Sequence, residues 1–194
     1  MGDRHKKLIQ LKLYVMKTNN QINYLKESAA KLQKSEEFKG LAVIILAIAL
    51  EKQLKNVVIY NYRKSGLSAT FVRGHLLKGI GYSELLQELE WSGNFKNKKK
   101  IKQIWKEAKT PIFNLYGIME TRNRLVHSNA SVSPKAIEGN VNNLLFVIEK
   151  LAEIFMDNFG YNGLEALPKN FKIDELVVSP KLFHKSLAKK VSKR

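Results

Sequence analysis

Leu41-Ala42-Val43-Ile44-Ile45-Leu46-Ala47-Ile48-Ala49-Leu50-Glu51 is the stretch that decides the fold. Its first ten residues are apolar on every side of a helical wheel, and the eleventh is an acid. A helix apolar all round belongs at the centre of a bundle, or in a membrane. Ten residues fall well short of the roughly 18 that a bilayer span requires. The stretch therefore reads as the buried core of a longer helix. Ser35 is its expected N-cap, with Glu36 and Glu37 in the first turn, where the helix dipole favours acids. The helix is expected to run to about Lys64, with Gly66 as its stop.

Outward from this helix the pattern stays helical. On the N-terminal side Leu8, Leu11, Val15, Thr18, Ile22, Leu25, Ala29 and Leu32 alternate spacings of three and four, one apolar stripe on a long amphipathic helix. On the C-terminal side five glycines (Gly66, Gly74, Gly79, Gly81, Gly93) break residues 67–93 into short pieces. A short helix is expected from Ser83 through Trp91. A basic stretch follows, Phe95 to Lys109, with seven lysines and one glutamate. Thr110-Pro111 gives the N-cap and first position of a third long helix, to about His127. Ser133-Pro134 repeats that signal. Ile137, Val141, Leu144, Leu145, Ile148, Leu151, Ala152 and Phe155 then mark a fourth helix, ended by Gly160. The expected fold is all-α: an up-and-down bundle over residues 1–160, with short helices between the second and third long ones. Residues 161–194 are expected to form a C-terminal extension with a basic tail.

The whole chain has 194 residues, with 34 Lys plus Arg against 17 Asp plus Glu. The net charge of +17 points to an anionic partner, nucleic acid or an acidic membrane surface. The absence of cysteine removes disulfide scaffolds, Cys-ligated metal and Cys nucleophiles from consideration. The start, Met1-Gly2-Asp3-Arg4-His5-Lys6-Lys7, lacks the apolar core of a signal peptide. A cytoplasmic protein with no membrane partner is the expectation.

The third helix carries the chemistry. At about 100° per residue, Ile112, Leu115, Ile118, Met119, Leu125 and Val126 form one apolar stripe, and Arg122 falls in its middle. A guanidinium there is costly unless paired. Tyr116, Glu120, Asn123 and His127 lie beside it on one edge. On the second helix Glu51 sits among Ile44, Ala47, Ile48, Leu54 and Val58, which suggests a Glu51–Arg122 pair. Such a pair would set helix register, hold the arginine for chemistry, or do both. His5, His75, His127 and His184 have no ligand spacing, and no phosphate-binding glycine loop is present, so neither metal nor cofactor is expected.

Arg122-Asn123-Arg124-Leu125-Val126-His127 resembles the R-N-x-x-x-H motif of the HEPN superfamily, at the end of the third long helix of a four-helix domain. The resemblance covers about residues 5–160, and Glu51 would correspond to the acid these proteins often carry on an earlier helix. It implies a metal-independent endoribonuclease, a homodimer whose two motifs face each other across a composite cleft. Such members serve as toxins, in phage defence or in RNA processing, and a partner antitoxin or regulator can accompany them. Cleavage would use the RNA 2′-hydroxyl, leaving 2′,3′-cyclic phosphate and 5′-hydroxyl ends. Some HEPN domains only bind or dimerise, so a non-catalytic RNA-binding or assembly module is the alternative. One toxin group has a tyrosine two residues after the motif histidine; Asn129 stands there, so neutralisation by modification of that tyrosine is not expected.

The residue types suit that route. His127 can exchange a proton near neutral pH. Arg122 offers a planar fork to the phosphate. Asn123 lies one turn before His127 and can orient it or the phosphate. Tyr116 and Glu120 share the edge and are candidate substrate contacts, Tyr116 equally a packing residue. Lys98, Lys99, Lys100 and Lys102 can track a phosphate backbone. Trp105 reads as a core residue or as a stacking platform for an unpaired base.

Overall fold

The computed structural model describes residues 20–35, 38–93, 121–126 and 132–169. These residues form an all-α fold, with no strand among them. The elements are α1 (20–33), α2 (Lys39–Lys64), a short α3 (Ala69–Phe71) that runs into a π turn (Val72–Leu76), α4 (Tyr82–Gly93), α5 (121–126) and α6 (Pro134–Phe159). The basic stretch 95–109, the first half of the expected third helix and the tail beyond Lys169 lie outside the described residues.

α2 is the central element, packed against both α4 and α6. Leu46, Leu50 and Leu54 of α2, Leu85 and Leu89 of α4, and Leu144, Ile148, Leu151 and Phe155 of α6 share one core. Each such side chain contributes about 1.5–3 kcal/mol relative to exposure. Leu25 and Leu32 add the inner face of α1. A Lys26–Glu149 ion pair, 3.0 Å long and half exposed, links α1 to α6.

Both ends of α6 follow their sequence signals. The Ser133 hydroxyl accepts from the Ala136 amide at 3.3 Å, Pro134 opens the helix, and Gly160 closes it in the left-handed region. α2 ends as Gly66 predicts. Gly66 has φ +87°, its amide donates to the Arg63 carbonyl, and the Leu67 amide donates to the Tyr62 carbonyl. This is a Schellman termination.

Three expectations need correction. α2 starts at Lys39, not after Ser35, and its N-terminal Phe38 supplies no side-chain cap. The Ser35 backbone instead serves the turn out of α1: its amide donates to Leu32 and its carbonyl accepts from Phe38. The first half of α2 is not buried all round. Ala42, Val43, Leu46 and Leu50 are enclosed, but Phe38, Leu41, Ile45 and Ile48 stand exposed, because neighbours cover only part of its circumference.

The third correction concerns the boundary at residue 160. Tyr161 and Asn162 are fully buried. The Tyr161 ring stacks on Tyr60 at 4.7 Å. Gln53 Nε2 donates to the carbonyls of Ile148 and Asn162, both at 3.1 Å, and Asn56 Nδ2 donates to the Gly163 carbonyl at 2.9 Å. Arg63 Nη1 donates to the Pro168 carbonyl at 2.9 Å. Residues 161–169 therefore belong to the packed body, held by amide side chains of α2.

Candidate active site

α5 comes close to Gly40, in the first turn of α2. A Cβ built on it would stand 2.9 Å from Leu125 Cδ2. Arg122 lies one turn before Leu125 on that helix and is half-buried. Its Nε is shielded from solvent and has no hydrogen-bond partner among the described residues. The side chain as a whole is only half-buried, and its guanidinium is of a shape suited to an acceptor such as a phosphate oxygen.

Glu51 is half-buried on α2, and its ion pair is with Lys55, one turn on, at 2.5 Å. The expected Glu51–Arg122 pair is not formed: Lys55, on the same helix, reaches the carboxylate without bridging between elements. The charges of Glu51 and Arg122 instead both act on a third group. The buried Tyr82 hydroxyl donates to the Ala47 carbonyl oxygen. Burial holds this phenol far above its ordinary pKa, and the Glu51 carboxylate pushes it further up. Arg122 opposes, as does a hydrogen bond at the Glu51 backbone. Tyr82 is thus a neutral hydroxyl at any physiological pH, on which an anion and a cation act in opposite directions. α4 opens at Tyr82, one residue before the expected Ser83, and nothing in the local sequence ties it to Ala47 and Arg122, 35 and 40 positions away.

Beside Glu51 opens a cleft of about 430 Å³. Lys52, Lys55 and Arg73 line it, with Ile48, Ile59 and Leu77 as apolar walls. Arg73 comes from the π turn, where the Leu77 amide donates to the Val72 carbonyl and both Val72 and Leu76 are buried. Sequence reading passed over Arg73 because the glycine-broken segment has no readable period. Glu88 was missed likewise: it is buried on α4 and accepts from the Tyr62 hydroxyl at 2.8 Å.

Asn123 is exposed beside Arg122, and Arg124 is exposed as expected. His75 is a surface residue, its ring 4.8 Å from that of Phe71. His127, Tyr116, Glu120, Lys98, Lys99, Lys100 and Lys102 lie outside the described residues. Among the described residues no group of three His, Cys, Asp or Glu is placed to hold a metal ion. No helix among them is long and apolar enough to cross a membrane. Comparison with family models, curated proteins and solved structures finds no match to this chain.

Proposed function

We propose that this chain is a metal-independent endoribonuclease of the HEPN kind, acting on RNA in a toxin or phage-defence role. The observation that carries the reading is Arg122: part of the R-N-x-x-x-H sequence, half-buried on α5, with its charge and that of Glu51 both acting on Tyr82. In the proposed reaction the 2′-oxygen attacks phosphorus, and the bond from phosphorus to the 5′-oxygen breaks. His127 takes the 2′-hydroxyl proton, and the departing 5′-oxygen gains one. Arg122 stabilises the charge that builds on the phosphate. Lys52, Lys55 and Arg73 supply cations for the backbone of the strand, ahead of any contribution from the lysines of the basic stretch.

The homodimer is also a proposal, with the second copy completing the cleft. It is supported by Phe38, Leu41, Ile45 and Ile48, an exposed stripe at spacings of three, four and three. Val126, exposed next to Leu125, brings α5 to the same end of α2. The cleft of Lys52, Lys55 and Arg73 would equally serve an RNA-binding module that does not cut.

RNA incubated in excess EDTA with the wild type, Arg122→Ala and His127→Ala separates these readings. The nuclease reading expects cleavage by the wild type alone, with 2′,3′-cyclic phosphate ends. Cleavage abolished by EDTA, or retained by His127→Ala, overturns it. Salt-sensitive binding with no cleavage assigns the binding module.

A further inference from the structure

Lys52 lines not one cleft but two. It is exposed on α2, and no acid among the described residues is paired with it. On one side lies the cleft of Lys55 and Arg73. On the other lies a cleft of about 360 Å³ between α1 and α2.

The two clefts differ in chemistry. The first is cationic, and Glu51, the acid in its wall, is paired with Lys55. The second has apolar walls from Leu25, Ala49 and Leu164, and no acid among the described residues that line it. Tyr24 stands in its wall with 70% of its surface exposed, the most exposed large hydrophobic side chain among the described residues. An exposed ring by itself needs no explanation. This one shares a cleft with a free cation, and that cation continues into a groove holding two more. A backbone passing from Arg73 to Lys52 is thereby led to the mouth of the second cleft. Aromatic faces set along a cationic track are what single-stranded nucleic acid uses: cations hold the phosphates and the rings stack the bases.

We propose that the cleft between α1 and α2 receives one unpaired base of the bound strand, stacked on Tyr24, with the adjoining phosphate at Lys52. The inference rests on the RNA reading of the neighbouring cleft. The site takes a base without choosing which, because every base has a π face. The Asn20 amide, also in the wall, offers both a donor and an acceptor and so selects none.

The test is binding at fixed salt, read by fluorescence anisotropy, of 2′-O-methyl hexamers of adenine and of uracil and of an abasic hexamer of equal charge. None of these can be cut by 2′-hydroxyl attack. Both base-bearing hexamers are expected to bind more tightly than the abasic one. Tyr24→Ala should take about fivefold or more off that advantage, similarly for adenine and uracil, and leave abasic binding unchanged. Tyr24→Trp should keep the advantage. Lys52→Ala should weaken all three hexamers alike and lower the slope of log affinity against log salt by about 0.7, one phosphate contact. Both positions are exposed, so thermal unfolding should hardly move. An advantage unchanged in Tyr24→Ala, or an equal loss for base-bearing and abasic hexamers, overturns the proposal. So does AMP competing as tightly as a hexamer, since that makes the site one for a free nucleotide. Cleavage by the wild type with no base-dependent role for Tyr24 removes this site and leaves the nuclease. A base-dependent role for Tyr24 without cleavage keeps the site and removes the nuclease.

Discussion

Gly163 and Gln53 touch backbone to backbone. A Cβ at Gly163 would lie 2.5 Å from the Gln53 carbonyl oxygen, and Gly163 has φ +81°. The last described segment thus lies on α2 with no room for a side chain. Gly163→Ala is expected to cost about 2–4 kcal/mol, combining left-handed strain with displaced backbone. Gly66→Ala is the control. Its φ is +87° with open space around it, so the cost should be about 1–2 kcal/mol. Thermal unfolding of both variants measures the difference, and equal losses would mean that the Gly163 contact yields easily.

That contact also shows where the sequence was legible. The ends of α6 and the stop of α2 depend on residues within one turn: Ser133, Pro134, Gly160 and Gly66. Such signals are local and can be read in order. Tyr161, Asn162 and Gly163 look like the start of a tail because they follow a helix stop. What holds them is Gln53 and Asn56, over 100 positions earlier, and polar residues on a core helix carry no periodic signal of their partner. Arg122 was legible as an odd cation on an apolar stripe. The influence of Arg122 and Glu51 on Tyr82 was not, since it exists only once α2, α4 and α5 are packed. Lys55 was overlooked as Glu51's partner, although an acid four residues before a lysine is a readable pair.

Tyr82 should govern the alkaline limb of stability. Its folded pKa lies above the unfolded value of about 10, so below that pH its contribution is fully present. As pH rises above about 10, the unfolded chain ionises first and stability falls. Tyr82→Phe removes the hydrogen bond to Ala47, at a cost of about 0.5–1.5 kcal/mol near neutrality. The variant should then lose less stability than the wild type above pH 10. Urea unfolding at neutral and alkaline pH checks both signs, and parallel losses would remove Tyr82 from the alkaline transition.

The exposed stripe on α2 makes the homodimer testable without reference to activity. Light scattering after size exclusion should give about twice the 22.2 kDa chain mass. Ile45→Glu with Ile48→Glu places two like charges in the proposed interface and should yield a monomer of unchanged or higher stability, since both residues are exposed in the single chain. A wild type that is monomeric at micromolar concentration removes the composite cleft.

Arg122 and Glu51 should separate cleanly in kinetics. Arg122→Ala is expected to lower cleavage by about 10²–10³-fold, the usual loss for one donor to a developing oxyanion. Arg122→Lys should recover only part of it, because an ammonium keeps the charge but not the planar fork. Neither change should cost more than about 1 kcal/mol, since the Arg122 Nε has no hydrogen-bond partner to lose among the described residues. Glu51→Gln is expected to reduce cleavage by less than about tenfold, because Lys55 already occupies the carboxylate and Arg122 does not depend on it. The Glu51–Lys55 pair is about one-third exposed, so its loss should stay within about 1 kcal/mol. Single-turnover cleavage alongside thermal unfolding reads both quantities. A Glu51→Gln protein that folds normally yet loses as much activity as Arg122→Ala would make Glu51 a participant in the reaction and not a bystander paired with lysine.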